Sequence, residues 1–67
     1  MIKRSVNIAG HATSISLEAP FWMELKHIAK SQKRPVSAII RELDENAPAN
    51  LSSAIRCYIL EMVKQNR

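Results

Sequence analysis

The segment His11-Ala12-Thr13-Ser14-Ile15-Ser16-Leu17-Glu18-Ala19-Pro20 changes character at its middle. From Ala12 to Leu17 the side chains alternate. Thr13, Ile15 and Leu17 point one way, and Ala12, Ser14 and Ser16 the other. An extended backbone has a side-chain period of two, so the pattern predicts a strand over residues 11–18 with one apolar face and one small, polar face. It is the one strand that the alternation supports by itself. A lone strand cannot satisfy its own backbone donors and acceptors, and the expected partner is the same strand in a second copy of the chain.

Working outward, residues 1–10 read as an N-terminal arm made basic by Lys3 and Arg4. Val6 and Ile8 alternate with Ser5 and Asn7, which would allow a short extra strand that Gly10, the only glycine, breaks or bends. On the other side, Pro20 suits the first turn of a helix, where its missing N–H costs nothing. Phe21, Leu25 and Ile28 follow at helical spacing, predicting a helix over 20–32. A second helix is predicted over 35–45, where Val36, Ile39, Ile40 and Leu43 form a stripe at i, i+3, i+4 and i+7. Residues 46–50 read as a connector, because Pro48 forbids a continuous helix. A third helix is predicted over 50–66, with Asn50 as N-cap and Leu51, Ile55, Tyr58, Ile59, Met62 and Val63 along one side. Leu60 lies off that stripe and points to a second contact surface.

The fold class is therefore mainly α with one N-terminal strand, in a single domain. At 67 residues a core built by one copy would be marginal, yet 46% of the residues are hydrophobic, so part of that surface is expected between subunits. Ten Lys and Arg against six Asp and Glu give +4 per chain, or +8 for two copies, which favours an anionic partner. The single Cys57 excludes an internal disulfide and fits a reducing cytoplasm. No apolar run is long enough to cross a bilayer, and the first residues do not form a signal peptide.

Few chemistries find support. His11 and His27 have no Cys, Asp or Glu at metal-ligand spacing, so no metal and no cofactor are expected. Cys57 beside Tyr58 reads as packing in a helix, and Phe21 and Trp22 as core or interface anchors rather than a base-stacking platform. Asp44 and Glu45 read as a helix end. Nothing assembles a nucleophile, a base and an oxyanion hole, which argues against an enzyme.

Several segments together carry a resemblance: Arg4-Ser-Val-Asn-Ile-Ala-Gly-His11, Thr13-Ser-Ile-Ser-Leu-Glu18, Phe21-Trp22, Ser37-Ala-Ile-Ile40 and Asn50-Leu-Ser-Ser-Ala-Ile-Arg56. In order and spacing they resemble the ribbon-helix-helix domain family, above all its small bacterial stand-alone branch, over nearly the whole chain. The resemblance implies an Arc- and MetJ-like intertwined homodimer with an intersubunit antiparallel two-stranded ribbon that enters the DNA major groove, plus an extra C-terminal helix. It makes Ala12, Ser14 and Ser16 the base-facing residues. Family members usually place longer side chains there, so this ribbon implies either weak specificity or help from Lys3 and Arg4. A phosphate clamp is implied around Lys33, Arg34 and Ser37, at the start of the helix after the first, although Pro35 removes one donor. The start at Asn50 is a second candidate for that clamp. The function implied is a cytoplasmic DNA-binding transcriptional repressor. The alternative is a protein-interaction module of antitoxin or adaptor type, with a partner on the C-terminal helix near Leu60. The absence of a tail after Arg67 weighs against the antitoxin version.

Overall fold

The computed structural model describes residues 1–8, 10–46 and 50–65. Its elements are β1 (Ile2–Ile8), β2 (His11–Leu17), α1 (Ala19–Ser31), α2 (Val36–Asn46) and α3 (Leu51–Gln65). The two strands form an antiparallel ribbon within one chain, in a register that runs without interruption from Ile2↔Leu17 to Ile8↔His11. This corrects the expectation of a single strand whose only partner is a second copy. The seven residues assigned to an arm pair β2 along its whole length.

The physical reason lies at the two ends of β1. Only two residues separate Ile8 from His11, and Gly10 takes φ 85°, a backbone state that a residue with a side chain enters at a cost. At the far end the Trp22 Nε1–H donates to the carbonyl of Ile2 at 2.9 Å, tying the start of the strand to α1. Between them Val6 is half-buried and Ile8 buried, so register is held by an apolar face.

Helix α1 begins after Glu18, whose backbone is extended and whose side chain makes no capping bond; Pro20 sits in the first turn. It ends in a Schellman closure. The amide of Arg34 donates to the carbonyl of Ala29 and that of Lys33 to Lys30, both at 3.1 Å, with Lys33 at φ 56°. A lysine in that conformation is strained, so Lys33→Gly is expected to raise stability by about 0.5–1 kcal/mol in urea unfolding, the greater freedom of glycine in the unfolded chain offsetting part of the relief. The connector expected around Pro48 lies outside the described residues.

Core side chains come from every element: Ile8, Ile15 and Leu17 from the ribbon, Trp22, Leu25, Ile28 and Ala29 from α1, Ile39 and Ile40 from α2, Ile55 and Ile59 from α3. Helix α2 packs against β1 and α3 against β2, while α1 contacts both other helices. One face of the ribbon is thereby covered, and the other stays open.

Candidate nucleic-acid interface

Residues paired directly across an antiparallel ribbon lie on the same face. The inward face takes Ile2, Arg4, Val6 and Ile8 with Leu17, Ile15, Thr13 and His11. The outward face therefore presents three pairs, Lys3–Ser16, Ser5–Ser14 and Asn7–Ala12. Five of these six residues are exposed and Ser16 is half-buried. Seven residues of strand span about 23 Å, and two strands lie about 5 Å apart, a ribbon narrow enough for the major groove of B-DNA.

Charge is segregated along the chain. All six carboxylates lie at Glu18 or beyond, at Glu24, Glu42, Asp44, Glu45 and Glu61, so residues 1–17 carry Lys3 and Arg4 and no acid. The first of these carboxylates is occupied: Glu18 Oε1 accepts from Arg56 Nε at 3.1 Å, joining the end of β2 to α3. A hydrogen bond with its own backbone and then the Arg56 guanidinium hold the Glu18 carboxyl below its ordinary value.

The residues expected to meet DNA fall in three places. Lys3, Ala12, Ser14 and Ser16 share the outward face. Arg4 belongs to the opposite face, its guanidinium 5.6 Å from the centre of the Trp22 ring, where it covers the indole. Lys33, Arg34 and Ser37 surround the α1–α2 junction. Lys33 and Ser37 are exposed, but Arg34 is engaged by its own chain. Its Nη1 donates to Glu42 Oε2 at 2.6 Å and its Nε to Gln32 Oε1 at 2.7 Å, while Gln32 Nε2 donates to the Tyr58 hydroxyl at 2.8 Å. The Glu42 hydrogen bond also pushes the Arg34 pKa up. This network stitches the junction to α3.

Ser5 and Asn7 are the residues that sequence reasoning did not assign to the face. Their alternation with Val6 and Ile8 was the available signal, and it becomes informative once β1 is a full strand.

Other surfaces carry less chemistry. Among the described residues, no group of three or more His, Cys, Asp and Glu is placed to hold a metal ion, and no helix is long and apolar enough to cross a membrane. Cys57, expected to pack within its helix, is exposed. It lies beside a shallow apolar groove of about 330 Å³ between α1 and α3, lined in part by Pro20, Phe21, Leu60 and Val63. Arg56 crosses one wall of that groove, 5.9 Å from the Phe21 ring centre.

The ribbon-helix-helix domain family matches this chain over residues 1–63, a span that includes β1 and most of α3. No curated protein and no solved structure matches it.

Proposed function

Because the chain belongs to the ribbon-helix-helix domain family, whose members are generally DNA-binding transcription regulators or antitoxins, we propose that it is a repressor that binds double-stranded DNA as a homodimer in the bacterial cytoplasm. The observation that carries this reading is the open face of the β1–β2 ribbon, small and polar, with Lys3 as its one charge. Such a face is poor material for a protein core and suits the floor and rim of a major groove.

In this reading two copies join antiparallel through the free edge of β2, since an unpaired edge is a template for another strand. The sheet then has four strands; the central β2 pair is the two-stranded ribbon that enters the groove, with Ser14 near the two-fold axis, and the β1 strands flank it at the rim. Ala12, Ser14 and Ser16 of both copies face the bases, and Lys3 meets phosphates at the rim. Lys33 and the amides opening α2 near Ser37 add a second phosphate contact. Arg34 holds the turn through Glu42 and Gln32 rather than reaching for DNA. A two-fold dimer prefers a pseudo-palindromic site.

A mobility-shift titration at two salt concentrations tests this. Lys3 and Lys33 from two copies make four phosphate contacts, so affinity is expected to fall about 100-fold between 50 and 200 mM salt. Lys3→Ala should lower the slope of log affinity against log salt by about 2, through its two copies. No shift on any duplex at low salt would remove the regulator reading.

The groove between α1 and α3 favours a second reading, a protein-interaction module. Leu60 is 56% exposed there, and a helix from another protein would bury it. A partner captured by the wild type and lost with Leu60→Lys supports that reading.

A further inference from the structure

We infer that the apolar groove between α1 and α3 is filled by α3 of a second copy of this chain. The inference rests on the homodimer proposed above and gives it a helical interface, built on the C-terminal helix rather than on α2.

Burial decides which surface is left over. Ile39 and Ile40, at the centre of the apolar stripe of α2, have no exposed surface, and Ile55 and Ile59 of α3 close the same core. That stripe is satisfied within the chain. Leu60 is instead the large apolar side chain that α3 leaves in water, at the lip of the 330 Å³ groove walled by Pro20, Phe21, Ile59 and Val63. An exposed apolar knob beside an apolar groove marks an interface.

Size and position name the occupant. The free edge of β2 is seven residues long, a narrow contact, whereas a stable interface between proteins buries about 1,200 Å² or more in total. The edge needs further surface beside it. Helix α3 packs against β2 and α2 against β1, so a copy that joins the edge of β2 also meets α3.

Charge complementarity sets the register. Arg56 and Glu61 lie on either side of the exposed Cys57 and Leu60. Let two α3 helices run antiparallel about a two-fold axis at the level between Tyr58 and Ile59. Leu60 then enters the partner's groove beside the partner's Cys57, and Arg56 lies beside the partner's Glu61, each contact occurring twice. Among the described residues Arg56 donates through Nε alone, to Glu18, and Glu61 is in no ion pair. A helix from another protein would have to bring its own apolar knob and its own acid at this spacing, and a second copy carries both. The two Cys57 residues are offset by three positions, about 4.5 Å along helices about 8–10 Å apart, within reach of a short bismaleimide.

The test measures the mass of the full-length protein by sedimentation equilibrium and links its native Cys57 with a short bismaleimide. The wild type is expected to be a dimer that the reagent makes covalent, and Cys57→Ser should give no linked product. Leu60→Glu should weaken the dimer about 100-fold or more and Glu61→Arg about tenfold, while Lys26→Glu, at an exposed position of α1 outside the groove, should change it less than about twofold. Leu60 is exposed, so its substitution should leave the circular dichroism spectrum of the fold in place. A wild-type dimer that Leu60→Glu leaves intact, or that yields no linked product, would overturn the assignment and leave DNA binding by a dimer joined at the ribbon edge. A folded, monomeric wild type would overturn it together with the homodimer. A dimer lost with Leu60→Glu, from a wild type that shifts no duplex at low salt, would sustain the groove contact and remove the regulator reading instead.

Discussion

Trp22→Ala is expected to lower the stability of this domain by about 3–5 kcal/mol, a loss on the scale of the whole stability of a small domain. The indole is 4% exposed. Its ring fills the space beneath the ribbon, its Nε1–H donates to the Ile2 carbonyl, and Arg4 lies over its outer surface. Truncation would open a cavity, release the first residue of β1 and uncover the arginine stem. Trp22→Phe separates these effects, because it keeps much of the apolar volume and removes only the hydrogen bond. Its cost should be about 1 kcal/mol, near the net worth of one such bond at a site where water can replace it. Urea unfolding followed by far-ultraviolet circular dichroism measures both. A loss below about 1 kcal/mol for Trp22→Ala would contradict its place as the anchor of the ribbon.

The second large effect is on binding. Ser14→Glu should reduce affinity for duplex DNA by about 100-fold or more while leaving the fold in place. Ser14 is exposed, lies midway along β2 and pairs with Ser5 on the outward face. In the proposed dimer on DNA, the carboxylates of both copies would meet phosphates and base acceptors, and like-charge juxtaposition costs several kcal/mol, each 1.4 kcal/mol being about tenfold. Stability should change by no more than about 1 kcal/mol, since the new side chain points into water. Gln65→Glu, an equal charge at an exposed position at the far end of α3, is the matched control and should have a far smaller effect. Equal losses in the two variants would mean that net charge, not the ribbon, governs binding.

Much of this architecture can be read along the chain because it depends on short-range periodicity. Thr13, Ile15 and Leu17 alternate in a way that only a strand uses, and Val36, Ile39, Ile40 and Leu43 recur as only a helix face does. The extent of β1 is less legible. Lys3 and Arg4 place charge on both of its faces, so its first half shows no apolar side. What completes it as a strand is partly remote: a hydrogen bond from Trp22, twenty residues away, joins the local glycine that turns the chain back. That same strand supplies half of the outward face, so Ser5 and Asn7 are less legible in the sequence than Ser14 and Ser16. Arg34 shows the complementary limit. Next to a helix start it reads as a phosphate ligand, yet Glu42, eight residues on, engages it across the turn. Local composition cannot show which of two partners a guanidinium will choose.

The proposed DNA contact is the open side of the hairpin. Titrating the nitrogen-labelled chain with a duplex, while following every backbone amide by nuclear magnetic resonance, addresses it residue by residue. The largest displacements should fall on Lys3, Ser5, Asn7, Ala12, Ser14 and Ser16. Displacements gathered instead on Cys57, Leu60 and Val63, with the ribbon amides unmoved, would contradict it.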